Sequence, residues 1–567
     1  MQEIQIITNI SIIIGLAAIL TVIARLIKQP PIIAYLIAGV LVGPLVFNLV
    51  GPGSTSTEFL QVFARLGVAL LLFIVGLSLD FRVLKEFGKV AGLAGMGEII
   101  CTAIIGFLIS ISIGLSFTPA LYLAAALAFS STVVVVKILS DKKEINTLHG
   151  RIALGILIVE DFVAALVLML IPVLESGHFE TIALGIGKIV ILCIGVSLLS
   201  IFVVNKLIYY LARHQETLFL FGIAWALLLA ALFNQFNLSM EIGALIAGMT
   251  LASSKYTLEL EGKIKPLRDF FVVLLFVYFG SQLVGPLTSK ILLQAAIFSV
   301  FILIGKPIIV MSFIRFFGYK KRTVFLAGSS LAQLSEFSLI LILIGYSLGH
   351  LSQSFMNLAI LISLITIAIS SYNIHYSHRI FNKISGLLNI FESNNLKKIE
   401  LIKEKEFDII VFGYHRIGYK LLQTLQKQKA NFAVVDYNPK VILALEKEKV
   451  DYIFGDAADP DFLSEIPLDK AKLIISTIPE EEANLSIREK LKDSNSKAAF
   501  IATAEQPRQA LDLYSSGIDY VIIPHHLGGS LVSTMVQAFS TDKNKYKQAG
   551  KDHYKELKDA KNSSTFN

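Results

Sequence analysis

The sequence predicts a polytopic α-helical membrane protein with a C-terminal α/β domain of the Rossmann-like, doubly wound type. Of the 567 residues, 54% are hydrophobic and 16% are charged, and the mean hydropathy of +0.69 is too high for a soluble protein of this length. After Arg379 the composition changes to a charged stretch, and from Phe407 short β-branched runs alternate with helical ones. We therefore expect two structurally different parts.

About thirteen apolar segments are predicted to cross or enter the membrane, and several are shorter than the ~20 residues of a full span. Lysine and arginine concentrate in alternate loops, for example near residues 142–151 and 320–322. This positive-inside pattern predicts that the N-terminus lies outside and the C-terminal domain in the cytoplasm. The segments are 4–26, 32–48, 59–79, 88–114, 119–139, 150–174, 182–212, 216–236, 239–254, 267–285, 290–316, 322–348 and 354–378.

Two adjacent carboxylates, Glu160 and Asp161, lie near the middle of the apolar stretch from Ile152 to Pro172. A charged side chain at the bilayer midplane costs at least ~3 kcal/mol, so such residues usually mark an ion pathway or a proton relay. Consecutive helical residues point about 100° apart, so the two carboxylates cannot share the same contacts. Glu98 and Glu241 lie nearer the ends of their segments and are expected to snorkel or to cap helices.

Four regions are expected: a membrane domain at 1–380, a linker helix at 381–406, an α/β domain at 407–541, whose motifs are taken up below, and a disordered polar tail at 542–567. Strands that alternate with helices predict a parallel sheet in the third region. The predicted strands are 407–412, 432–436, 450–454, 472–476, 498–503 and 519–523.

The turn after the first predicted strand runs from Gly413 to Gly418 and opens a helix whose free N–H groups suit a phosphate. His415 replaces the middle glycine that normally lets a pyrophosphate approach the backbone. His415 could contact phosphate or be a plain turn residue. The replacement favours a mononucleotide, with its phosphate beside Arg416 and Ile417.

Acidic residues follow the next two strands of this domain. Asp436 ends the second strand, where it would hold ribose hydroxyls, and Asp456 and Ala457 follow the third, where the adenine edge would lie. We expect an adenine nucleotide, with AMP as the first choice and NAD(H) or ATP as alternatives. The competing interpretation is an empty Rossmann scaffold used for dimerisation.

Many motifs, in the same order along nearly the whole chain, resemble the monovalent cation:proton antiporter-2 family. They include GLSLD at 76–80, FSSTVVVVKIL at 129–139, GRIALGILIVEDFVAALVLMLIP at 150–172 and AQLSEFSLILILIG at 332–345. VFGYHRIG, FGDAADPDFL and VIIPHHLGG resemble the TrkA-N (RCK N-terminal) domain that regulates potassium transport. This combination is found in Kef-type and YbaL-type transporters. The Val-Glu-Asp triplet at 159–161 is closer to the YbaL-type branch, which argues against glutathione gating.

The resemblance implies a secondary antiporter in the bacterial inner membrane, with inverted repeats and two discontinuous helices that cross beside the acidic helix. It also implies that Asp161 alternately binds a proton and a monovalent cation, K⁺ or Na⁺, and that the protein is a homodimer in contact with membrane lipid. A purely structural ion pair is the alternative for Asp161, and a packing role is the alternative for Glu160.

Two polar interruptions agree with the implied discontinuous helices. Ser130, Ser131 and Thr132 precede four valines in one segment, and Gly305-Lys306-Pro307 interrupts another. A buried lysine is stable only when it is paired or neutral, so Lys306 is expected to pair with Glu160, either within the relay or as a structural tether. Gln333 and Glu336 are further candidates for the ion pathway, with a structural role as the alternative.

Two other functional classes fit less well. A nucleotide-gated cation channel or efflux pathway would need a filter of the Thr-Val-Gly-Tyr-Gly type, which the sequence lacks. An NAD-dependent enzyme would need a set of catalytic residues near the Rossmann turn, which the sequence also lacks.

Cys101 and Cys193 lie in apolar segments, which argues against a disulfide framework or any metal beyond the transported cation. Inside loops and a lysine-rich tail account for the net charge of +7, so nucleic-acid binding is not expected.

Overall fold

The structure is a computed structural model that describes residues 2–51, 54–78, 88–142, 144–145, 147–174, 179–211, 215–236, 238–252, 254, 256–391, 406–414, 417–436, 439–458 and 460–562. The chain forms two compact units, Met1–Glu392 and Ser393–Asn567. The end of the GLSLD motif, residues 392–405 of the predicted linker helix, and His415 with Arg416 lie outside the described residues.

In the described residues of the first unit every secondary-structure element is a helix, and each predicted apolar segment coincides with a helix or an interrupted helix. Within the described residues, eight helices are long and apolar enough to cross a membrane. In chain order the helices are α1 (Gln2–Leu26), α2 (Pro31–Val42), α3 (Thr55–Ser78), α4 (Gly88–Ser112), α5 (Phe117–Ala128), α6 (Thr132–Asp141), α7 (Leu148–Leu174), α8 (Phe179–Leu199), α9 (Asn205–Leu211), α10 (Gln215–Gln235), α11 (Met240–Leu251), α12 (Thr257–Ser281), α13 (Ser289–Val300), α14 (Lys306–Phe316), α15 (Lys321–Ser330), α16 (Glu336–Ser347), α17 (Gln353–His375) and α18 (Ser377–Ile384).

The part of the chain that the structure describes contains two discontinuous helices at the crossing, but only one of them lies where we predicted it. The first break separates α5 from α6 at residues 129–131, as expected from its hydroxyl-rich sequence. The expected break at Gly305-Lys306-Pro307 is wrong. A π-helical turn at Phe301–Gly305 joins α13 to α14. This wider turn makes room for the Pro307 ring and tolerates its missing N–H donor without ending the helix. The second break instead separates α15 from α16, at residues 331–335.

Glycine pairs let other helices of this unit pack backbone against backbone. A Cβ atom at Gly280 of α12 would lie 2.8 Å from the Cα of Gly39 in α2. A Cβ atom at Gly248 of α11 would lie 2.9 Å from the Cα of Gly76 in α3. Small residues at such contacts replace the hydrophobic driving force that lipid cannot supply.

The second unit contains a six-stranded parallel sheet with the order β3-β2-β1-β4-β5-β6, which is the doubly wound order. All six predicted strands are present within about two residues of the expected bounds. The strands are β1 (Ile409–Phe412), β2 (Phe432–Asp436), β3 (Tyr452–Phe454), β4 (Leu473–Ser476), β5 (Ala499–Thr503) and β6 (Tyr520–Ile522). The helices are α19 (Ile417–Lys427), α20 (Pro439–Lys447), α21 (Pro460–Glu465), α22 (Glu481–Asp493), α23 (Pro507–Ser515), α24 (Pro524–Phe539) and α25 (Lys543–Asn562).

Residues 543–562 of the polar tail form helix α25, whereas the composition of the tail led us to expect disorder. Its lysine, alanine and glutamate residues are good helix formers. Tyr546 fixes its first turn, because its ring contacts Phe539 edge-on and its hydroxyl donates to the carbonyl of Ser540 at 3.1 Å. Composition alone did not reveal these local contacts, which stabilise the helix.

Candidate ion pathway and nucleotide crevice

The two interrupted helices touch each other at their breaks. The N–H of Ser335 donates to the carbonyl of Phe129 at 3.1 Å, and the hydroxyl of Ser130 donates to the carbonyl of Leu331 at 2.9 Å. A broken helix leaves backbone groups without their usual partners, and such groups cannot face lipid unpaired. Each break therefore supplies a hydrogen-bond partner for a backbone group that the other leaves unpaired.

Lys306 lies fully buried beside this crossing, between two carboxylates. Its Nζ is 3.4 Å from Oε1 of Glu98 and 3.7 Å from Oε1 of Glu160, and all three side chains are 0% exposed. It also donates to the carbonyl of Ala128 at 2.7 Å, at the C-terminal end of α5. A cation there is favoured by the negative end of the helix dipole. The positive charge of Lys306 thus offsets the negative charge of two carboxylates and the partial negative charge at the end of α5.

Sequence reasoning missed the role of Glu98, which neither snorkels nor caps. Glu98 lies ten residues into the 25-residue helix α4 and is fully buried. Thr102, one turn later, donates to its Oε1 at 3.0 Å. Two features of the sequence could have indicated a buried Glu98: its position in the middle of an apolar helix, and the threonine four residues later.

The adjacent carboxylates Glu160 and Asp161 have separate surroundings. Glu160 accepts from the N–H of Ser130 at 2.5 Å and from its hydroxyl at 3.2 Å. Asp161 is half-buried and accepts from the hydroxyl of Thr132 at 2.9 Å. The two acids therefore contact opposite sides of the first break, and the one that is not fully buried is Asp161.

The remaining candidates are Ser131, at the first break, and Gln333 and Glu336, at the second. Ser131 caps α6, because its hydroxyl accepts from the N–H of Val134 at 3.3 Å, and its carbonyl lies 3.5 Å from the amide nitrogen of Gln333. Glu336 is the first residue of α16 and is 6% exposed. Asp161 and Glu336 are close enough to interact electrostatically. The structure thus brings all the predicted membrane candidates to one crossing.

A second polar cluster, which the sequence did not predict, surrounds Glu144 between α6 and α7. The Glu144 carboxylate lies 2.8 Å from Nζ of Lys142, 3.0 Å from Nε2 of His378 and 3.2 Å from Nε2 of His149. Burial raises the pKa of Glu144, but the two histidine hydrogen bonds and the Lys142 charge outweigh it and hold the pKa well below its usual range. Arg322 of α15 approaches the other nitrogen of His378 at 3.1 Å, so the cluster ties three helices together.

In the second unit, the candidate nucleotide residues meet at the carboxyl ends of three neighbouring strands. Gly413 follows β1 with φ +84°, and a Cβ atom there would lie 2.7 Å from Oγ1 of Thr477, so glycine is required on both counts. Asp436 ends β2 and accepts from the N–H of Tyr414 at 3.0 Å. The sheet order reverses between β1 and β4, which is where doubly wound proteins bind ligands.

The other nucleotide candidates are placed as follows. Asp456, after β3, accepts from the N–H of Ala458 at 2.9 Å, and Ala457 is buried in the hydrophobic core. Ile417 begins α19, so the free N–H groups of that helix point toward the turn. The predicted phosphate contacts of His415 and Arg416 lie outside the described residues and stay predictions.

Comparison with known proteins assigns both units. Residues 12–375 match the transmembrane sodium/hydrogen exchanger family, and residues 409–524 match the TrkA-N domain. YbaL of Escherichia coli (strain K12), provisionally named a cation/proton antiporter, is 29% identical over 549 residues, covering 93% of this chain and 96% of YbaL. The glutathione-regulated potassium-efflux system protein KefC of the same organism is 27% identical over 528 residues, covering 89% of this chain and 81% of KefC.

Among solved structures, the GsuK channel bound to NAD is similar at 20% identity and a TM-score of 0.21, covering 41% of this chain and 41% of that chain. The exchanger match spans more than half of the chain. The protein therefore belongs to the sodium/hydrogen exchanger family, as a multi-pass cation/proton antiporter with a C-terminal TrkA-N domain, and is a transporter rather than an enzyme.

Proposed function

We propose that the protein exchanges a monovalent cation, K⁺ or Na⁺, for H⁺ by alternating access, with Asp161 as the residue that binds either ion. The observation that carries this proposal is the separation of the two acids. Glu160 is fully buried and paired, whereas Asp161 is half-buried and is held only by the hydroxyl of Thr132 among the described residues. A carboxylate that binds one ion at a time forces the two ions to compete, and this competition is the basis of exchange.

The other crossing residues hold the site in place. Lys306 and Glu160 fix α14 and α7 to the end of α5, and Ser130 connects Glu160 to the second break. Ser131 caps the helix that begins beside Asp161. Such fixed charges and caps hold the polar groups of the crossing in one defined arrangement.

The test is cation-driven proton movement in proteoliposomes containing the purified full-length protein, with K⁺, Na⁺ and Rb⁺ at several pH values. Asp161→Asn keeps the size and hydrogen bonding of the side chain but cannot release a proton, so exchange should be lost while the protein stays folded. Asp141→Asn is a matched control, because Asp141 is exposed and paired only with Lys137 at 2.7 Å among the described residues. Exchange by Asp161→Asn at the wild-type rate would refute the mechanism.

We also propose that the second unit binds an adenine nucleotide, with AMP preferred over NAD(H) and ATP, and that this binding regulates transport. The supporting geometry is the crevice formed by Gly413, Asp436 and Asp456 beside the start of α19. Nucleotide would change transport only if it binds one conformation of the protein better than the other.

The protein is further proposed to be a homodimer in the bacterial inner membrane, with the N-terminus outside and the second unit in the cytoplasm.

Calorimetry on the solubilised full-length protein tests the nucleotide proposal. Heat should be released with AMP, and Asp436→Ala should weaken binding. Asp451→Ala changes an acidic residue that immediately precedes β3, at the end of that strand away from Asp456, and serves as the control. Absence of heat with AMP, ATP and NAD(H) would leave the domain as a dimerisation scaffold.

A further inference from the structure

Two buried oxygen atoms at the second break have no hydrogen-bond partner within the described part of the chain. They are Oε1 of Gln333 and Oε2 of Glu336, and the two side chains are 0% and 6% exposed. Buried polar atoms are nearly always satisfied, because leaving one unpaired in a low-dielectric interior is costly. Two such atoms, three residues apart on one break, indicate a place where something else supplies the missing contacts.

Both oxygens belong to residues that face the first break. The amide nitrogen of Gln333 donates to the carbonyl of Ser131, and the Glu336 carboxylate lies beside the Ser131 hydroxyl. Glu336 also interacts electrostatically with Asp161 across the crossing. Gln333 and Glu336 thus both contact Ser131, the neighbour of Thr132, whose hydroxyl binds the Asp161 carboxylate.

The charges at the crossing divide into two groups. Lys306 compensates Glu98 and Glu160. No lysine or arginine in the described ranges forms an ion pair with Asp161 or Glu336. Arg268 acts on Glu336 from α12, but its guanidinium already binds Asp269 at 2.6 Å. The Asp161 side of the crossing is thus rich in oxygen ligands and short of positive charge.

We propose that Gln333 and Glu336 form the second half of the cation site, opposite Asp161 and Thr132. The ligand is a hard monovalent cation that sheds part of its water and takes oxygen atoms from both interrupted helices. This inference rests on the proposed function, since it assigns further ligands to the same ion. Because the two halves belong to different interrupted helices, a relative movement of the breaks would take the site apart and release the cation.

The experiment measures the KM and Vmax of K⁺- and Na⁺-driven proton movement in proteoliposomes of the full-length protein. Glu336→Gln keeps the shape but removes the charge, and should raise the KM for the cation about tenfold or more, with a much smaller change in Vmax. Gln333→Met removes the amide oxygen at similar volume and should raise the KM about threefold or more. This factor corresponds to the lower end of the free energies that single hydrogen bonds contribute. Glu241→Gln, which removes a carboxylate from the first turn of α11, is the matched control and should leave the KM unchanged.

Thermal unfolding in detergent with and without K⁺ gives a second readout, since bound cation stabilises the folded state. The K⁺-induced rise in melting temperature should be lost in Glu336→Gln. A folded Glu336→Gln protein with a wild-type KM and a wild-type K⁺-induced shift would overturn the inference. If Glu336→Gln does not fold, an unchanged KM in both Gln333→Met and Glu336→Asp overturns it equally. Loss of exchange in Asp161→Asn combined with a normal KM in Glu336→Gln would reject this inference alone and leave the proposed function standing.

Discussion

The buried cluster of Lys306 with Glu98 and Glu160 gives a quantitative prediction about stability. Lys306→Met keeps the length of the side chain but removes the ammonium group that lies 3.4 and 3.7 Å from the two carboxylates. It also leaves the carbonyl of Ala128 without its 2.7 Å donor. Removing one partner of a buried ion pair typically lowers the free energy of unfolding by ~3 to 5 kcal/mol. We expect a loss in that range for Lys306→Met.

The same cluster predicts that neutralising all three groups is less harmful than removing the lysine alone. Replacing a whole buried ion cluster by neutral groups of similar volume is often close to neutral, because no uncompensated charge remains. A triple variant that combines Lys306→Met with Glu98→Gln and Glu160→Gln should therefore recover most of the lost stability. The expected interaction energy is several kcal/mol and of opposite sign to the separate losses.

The assay is reversible unfolding of the purified protein by sodium dodecyl sulfate in mixed micelles, followed by circular dichroism. Four proteins complete the cycle: wild type, Lys306→Met, the double glutamine variant and the triple variant. If the separate effects add to within about 0.5 kcal/mol, the three groups do not interact and the electrostatic reasoning is refuted.

Two further predictions concern other parts of the membrane unit. Glu144→Gln should cost ~2 kcal/mol near neutral pH by removing charge-assisted hydrogen bonds. Because the folded pKa of Glu144 is depressed, its contribution is complete above the unfolded value of about 4.3 and disappears as the pH falls through the folded value, so the difference in melting temperature should shrink below about pH 4. Gly280→Leu should destabilise by ~1 to 3 kcal/mol or more, since backbone of the Gly39 helix blocks the new side chain. Gly15→Ala, with nothing within 4 Å of the added methyl, is its control in the same thermal unfolding measurement.

The fold was largely predictable because its strongest determinants are local. Apolar length and loop charge defined the membrane segments, and β-branched runs defined all six strands. The first break was predictable because three consecutive hydroxyl residues interrupt an apolar run. The second was not, because Leu331 to Ser335 contains neither glycine nor proline, whereas Gly305 and Pro307 offered a stronger but misleading signal.

The candidate site was predictable only in part, because its contacts join residues that are far apart in sequence. Asp161 and Glu160 stand out as intramembrane acids, and a buried lysine such as Lys306 requires a partner. That Glu98 shares this lysine depends on how α4 packs against α7 and α14. The Glu144 cluster likewise depends on His378, more than 200 residues later in the chain. Sequence periodicity carries no information about such pairings.

The π-helical turn at Phe301–Gly305 can absorb a change of one residue in chain length without moving Lys306. A π-helical turn is equivalent to one residue inserted into an α-helix, and the helices on its two sides keep the facing they would have without the insertion. Deleting one residue within Phe301–Gly305 would therefore convert the turn to regular α-helix and leave Lys306 directed at Glu98 and Glu160. A deletion within α14 after Lys306 has no such turn to absorb it, and would rotate the rest of α14 by about 100° relative to the lysine.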